Sequence, residues 1–114
     1  MPDREPVLTL AELREVIALH EELLTRTASE AGRMDLHQLL ADLHRRLLSV
    51  QGRQLADAAD VAGAWSAPDG RDCLLPRRMT GAAVRNLGRL ARLPGVDHDL
   101  AARSGAAARV LTGS

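Results

Sequence analysis

From Leu10 onward, apolar residues recur at steps of three and four. Leu10, Leu13, Ile17, Leu24, Ala28 and Ala31 fall on one helical face, Val16 and Leu23 widen it, and Leu19 lies further round. Glu15, Glu22, Arg26 and Ser29 form the opposite, polar face, with Glu22 and Arg26 at the favourable four-residue spacing. Thr9 and Glu12 have the spacing of a capping box, in which a hydroxyl and a carboxylate each satisfy an orphan backbone N–H. Leu8 and Leu13 stand where a hydrophobic staple belongs. The pattern predicts a helix from Leu10 to Ala31, with Gly32 as its left-handed C′ residue. Its apolar arc is wider than a two-helix seam, so it needs a second neighbour: the C-terminal helices or another subunit.

The start signal repeats at Asp35, with Gln38 in the third position and Met34 set to staple to Leu39. Leu36, Leu40, Leu43, Leu47, Val50, Ala58, Val61, Ala62 and Trp65 keep the helical period through Gly52, which predicts one continuous second helix despite a cost of about 1 kcal/mol for a mid-helix glycine. Residues 66–79 read as a loop: Ala67-Pro68-Asp69-Gly70 is a turn signature and Pro76 disfavours helix at Leu75. A third helix is expected from a Thr80 cap, stapled by Met79 and Val84 and ended by Pro94-Gly95. A fourth follows an Asp97 cap, with Asp99 in its first turn and Arg109 late, as the macrodipole favours.

The expected fold is therefore all-α, a long antiparallel helical hairpin plus two shorter helices, four-helix bundle-like. Residues 1–8 form a flexible lead and 9–114 a single domain, with the hairpin in 9–65, the loop in 66–79 and the short helices in 80–111. Composition agrees. The 114 residues are 46% hydrophobic with twenty Leu, no Phe, no Tyr and one Trp, so the β-branched and aromatic residues that sheets favour are scarce.

Charge divides the chain. All fifteen basic residues are Arg. Residues 1–70 hold seven against twelve acids, a net of −5, and residues 71–114 hold eight against three, a net of +5. Such asymmetry points to self-association or an anionic partner. With the wide arc of the first helix it implies a homodimer, with Val16, Leu19, Leu23 and Trp65 as its interface. Cys73 stands alone, which fits a reducing cytoplasm. The N-terminus lacks a signal-peptide apolar region, and no apolar run reaches the ~18–20 residues of a membrane span.

Candidate chemistry centres on the third helix. Arg78, Arg85, Arg89 and Arg92 are spaced by seven, four and three and share a face if the helix reaches back to Arg78, with Arg77 adding charge. Guanidinium groups in a row suit phosphates or an acidic protein face. The row has no aromatic residue for base stacking, so an interaction face comes first and nucleic-acid binding is the alternative. Gln54-Leu55-Ala56-Asp57-Ala58-Ala59-Asp60-Val61 resembles the Leu-Ala-x-x-Ala-Gly-Val core of helix-turn-helix modules. Asp60 replaces the turn glycine there, and Ala62-Gly63-Ala64-Trp65 lacks polar base-reading residues. Leu13-Arg14, Ile17 and Leu23-Leu24 resemble the opening of small helical chorismate mutases, without matching acidic and basic residues on the following helix. His20 and His44 come within about one turn across an antiparallel hairpin, which makes them the metal or pH-sensitive candidates; two unrelated histidines are the simpler reading. Cys73 beside Arg71 lacks a helper base. No catalytic set and no cofactor motif emerges. The functional expectation is a non-enzymatic helical interaction module (adaptor, regulator or accessory subunit), with a nucleic-acid-binding regulator and a small helical enzyme or metal-binding bundle as alternatives.

Overall fold

A computed structural model describes residues 6–60 and 71–113. The fold is all-α with a small two-stranded sheet. In chain order it has β1 (Val7–Thr9), α1 (Leu10–Arg26), α2 (Glu30–Asp60), β2 (Arg71–Leu74), α3 (Arg77–Arg92) and α4 (His98–Thr112).

α1 starts where its capping box sets it. The Thr9 hydroxyl accepts the Glu12 N–H at 3.1 Å, and the Glu12 carboxylate accepts the Thr9 N–H at 2.9 Å. It ends five residues before the expected Ala31, and the reason is a run of hydroxyls. Thr25 Oγ1 donates to the Glu22 carbonyl and Thr27 Oγ1 to the Leu23 carbonyl, each at 2.7 Å. The Thr27 N–H bonds back to the Leu24 carbonyl at 3.2 Å while its own backbone turns extended. Those contacts satisfy carbonyls that a longer helix would have used. Ser29 then caps α2, its Oγ accepting the Gly32 N–H at 3.2 Å. Gly32 is thus inside the first turn of α2 and not a left-handed terminator. Asp35 is helical rather than a cap, and Met34 is 61% exposed rather than stapled to Leu39.

α2 runs unbroken through Gly52, as the period predicts. Its 31 residues span about 46 Å against about 26 Å for the 17 of α1. It therefore extends well beyond its antiparallel neighbour. The expected continuation to Trp65, and the second half of the helix-turn-helix resemblance, lie outside the described residues.

The sheet departs from the all-helical expectation. β1 and β2 pair antiparallel, Val7 opposite Leu74 and Leu8 opposite Cys73, with an irregularity after Leu8. The Leu75 N–H adds a bond to the Pro6 carbonyl at 3.0 Å. Alternation does the rest: Leu8, Cys73 and Leu75 point inward and are buried, while Val7 and Leu74 stand 40% and 45% exposed. Val7 and Leu8, expected in the flexible lead, are pinned to a segment expected as loop.

α3 begins at Arg77, a turn earlier than expected. Pro76 precedes it without a side-chain cap, and the Thr80 hydroxyl, cast as the cap, instead donates to the Pro76 carbonyl at 3.0 Å. α3 ends before Pro94 and Gly95, the latter at φ 85°. α4 starts at the Asp97 cap, which accepts the Leu100 N–H at 2.8 Å.

One cluster of buried apolar side chains unites these elements, and α1 is the hub, contacting all five others. Its second neighbour is therefore the α3–α4 pair together with the strands. Val16, Leu19 and Leu23 are at most 1% exposed. The chain itself covers these three of the residues expected to meet a second subunit.

A methyl group at Gly52 would meet nothing within 4 Å, and the residue is exposed and helical. Gly52→Ala should therefore stabilise the protein by about 0.5–1 kcal/mol in urea unfolding. A neutral or destabilising result would argue against an unbroken helix at this point.

Candidate functional site

All five expected arginines lie on α3, and the helix reaches back far enough to align Arg78, Arg85, Arg89 and Arg92 on one face. The opposite face, Met79, Ala83, Leu87 and Leu90, is buried in the core. That division explains the row: α3 cannot rotate without exposing leucines, so its arginines are held outward. Arg77, Arg78, Arg85, Arg89 and Arg92 are all exposed. Among the described residues Arg78, Arg85 and Arg89 form no ion pair, so the acidic hairpin of their own chain does not neutralise them. Arg92 folds back along its helix, Nε donating to the Gly88 carbonyl at 3.1 Å. Arg85 lies similarly over Gly81, whose missing side chain leaves the space.

A second arginine group was not legible in the sequence. The first turn of α3 faces the middle of α2 across an open cavity of about 360 Å³, lined by Asp42, Arg45, Arg46, Ser49, Pro76, Arg78 and Met79. Arg45 donates to Asp42 one turn earlier on α2. Arg46 and Arg78 make no ion pair among the described residues. The Arg45-Arg46 dipeptide was the only signal, and its meaning depends on where α3 begins.

On the outer face of α2, Met34 and Leu48 are 61% and 67% exposed, more than any other large apolar side chain described. Ala41, also exposed, lies midway between them at seven-residue steps. The buried stripe Leu36, Leu40, Leu43 and Val50 is on the other side of the helix.

His20 and His44 do not form a site together. His20 is 1% exposed, with Nδ1 2.7 Å from the Val16 carbonyl and Nε2 buried without a hydrogen-bond partner. His44 is exposed, its Nε2 3.7 Å from the Glu21 carboxylate across the α1–α2 seam. Helical geometry turns neighbouring residues 20 and 21 about 100° apart, so Glu21 reaches the surface histidine while His20 enters the core. Among the described residues no three potential metal ligands come together. Cys73, expected in a loop, is buried on β2 opposite Leu8. Trp65 lies outside the described residues. An apolar groove between α1 and α4 is bordered by a bidentate ion pair, Arg103 donating to Glu15 at 2.9 and 2.7 Å. Those hydrogen bonds hold the Glu15 carboxyl below the ordinary carboxylate range. Both side chains are about two-fifths exposed, so the pair contributes at most about 1 kcal/mol.

No described helix is long and apolar enough to cross a membrane. Comparison with protein-family models, with curated proteins and with solved structures finds no match to this chain.

Burial pushes His20 below the ordinary histidine value of about 6.5, because a charged ring would lose its hydration there. The unfolded chain then binds the proton more readily than the folded one. Stability from this group is complete above about pH 6.5 and falls as pH drops below it. Urea unfolding between pH 7.5 and 5 should show that decline, and His20→Leu, which also removes the unpartnered nitrogen, should flatten it. An unchanged slope in the variant would refute the assignment.

Proposed function

We propose that the chain is a non-enzymatic helical interaction module that acts as a homodimer, with the outer face of α2 as its docking surface. One observation carries this reading: Met34 and Leu48 stand largely exposed on the same side of a helix whose other side is fixed in the core. The occupant it commits to is a second copy, antiparallel, with Ala41 opposite Ala41. Equal seven-residue steps then set Met34 of each copy against Leu48 of the other, and the alanines let the helices approach closely. Charge supports the same direction. Glu30, Arg33 and Asp35 give one end of this stretch a net charge of −1, and Asp42, Arg45 and Arg46 give the other a net of +1, so antiparallel packing joins the opposite excesses. The lone cysteine supports a cytoplasmic location.

Light scattering after size exclusion should give a dimer. Leu48→Asp should give a monomer with unchanged helical circular dichroism, because Leu48 contributes little to its own chain's core. A monomer at every concentration would contradict the reading.

The arginine row favours a second reading, a nucleic-acid-binding regulator, because three guanidinium groups lie along one outward face without partners among the described residues. Duplex binding that weakens steeply with salt and is abolished by Arg85→Ala with Arg89→Ala would support it. No detectable binding at low salt would remove it.

A further inference from the structure

We propose that the cavity between α2 and the start of α3 is a binding site for a phosphate monoester group. Arg45 and Arg46 come from the middle of one helix and Arg78 from the first turn of another, so arginines more than thirty positions apart in sequence line one cavity of about 360 Å³. Like charges repel, and nothing in helix formation requires this convergence. Among the described lining residues one carboxylate stands against the three, Asp42, which accepts from Arg45.

The count and shape select the ligand. A guanidinium presents parallel N–H donors that match two oxygens of a phosphate, and three such groups can serve the three terminal oxygens of a monoester. A carboxylate brings a single charge on two coplanar oxygens, whereas a phosphate monoester brings close to two charges on three oxygens, a better match for three arginines. A phosphodiester in a duplex offers single charges at regular intervals, which suit the linear row of Arg85 and Arg89 better than a point of convergence. The α3 amino end, which Pro76 leaves without a side-chain cap, adds positive potential on the same side. The pyrrolidine ring of Pro76 and the side chain of Met79 close the apolar wall of the cavity.

The site shares Arg45 and Arg46 with the proposed dimer face, so its test is run on the monomeric Leu48→Asp protein as well as on the unaltered chain, and saturable binding by the monomer separates the two. The experiment titrates the full chain with inorganic phosphate, and separately with glycerol phosphate, at constant ionic strength held by chloride, following backbone amide resonances. Saturable shifts at residues 45–49 and 77–79 are expected with both probes. Arg46→Ala and Arg78→Ala should each weaken binding at least tenfold. Arg89→Ala, on the same helix but outside the cavity, should change it less than twofold. Saturation with glycerol phosphate tighter than with free phosphate would show that the ester's organic part is held as well; equal affinity would show that the phosphate alone is read. Either supports the site. Shifts that follow ionic strength without saturating would overturn it, as would an Arg89→Ala effect equal to that of Arg78→Ala. Tight duplex binding without saturable phosphate binding would overturn it in favour of an extended polyanion surface.

Discussion

The breadth of the α1 apolar arc is the constraint on which the rest depends. Leu13, Val16, Ile17, Leu19, His20 and Leu23 are all buried, and at 100° per residue they cover about 160° of the helix. A single antiparallel helix cannot cover that much. α2 takes one side, the α3–α4 pair another, and the two strands close the end where α1 begins. This explains why a three-residue strand survives here: Leu8 and Cys73 form a lid over the start of α1, and the hydrogen bonds between strands satisfy backbone groups that burial would otherwise leave unpaired.

The same packing fixes what faces outward. α3 buries Met79, Ala83, Leu87 and Leu90, so its arginines have no route inward. α2 buries Leu36, Leu40, Leu43 and Val50, so Met34, Ala41 and Leu48 are presented to solvent. A surface of exposed leucine and methionine on one helix and outward arginine on another follows from a core made mostly of leucine. With no Phe or Tyr to fill volume, every leucine-rich face is used, and the residues between them are displayed.

Some local signals in the sequence decide the structure and others do not: the Asp35 and Thr80 caps and the Met34 staple are absent. The Thr9–Glu12 box and the Asp97 cap depend on residues three apart, and both are present. The alignment of the arginine row needed only the helical period and the reach of α3. The break after Arg26 is local too, but it is set by the Thr25–Thr27–Ser29 hydroxyls, through side-chain bonds to backbone carbonyls and to one N–H, and not by Gly32. The strands could not be seen because Val7–Thr9 and Arg71–Leu74 are stable only as partners more than sixty residues apart. The role of Val16, Leu19 and Leu23 turned on the same kind of information: their excess of apolar surface was evident, but whether the chain's own C-terminal helices or another subunit covered it was not. The α2–α3 cavity was beyond reach because it joins two helices through an overlap that periodicity does not encode.

The central claim is that the core around α1 closes within one chain. Native-state hydrogen exchange of the α1 amides across a dilution series tests it directly. Amides from Leu13 to Leu23 should remain among the slowest to exchange at the lowest protein concentration measured. Exchange that accelerates on dilution to the rate of surface amides would mean that a second copy supplies the missing wall, and would contradict the account.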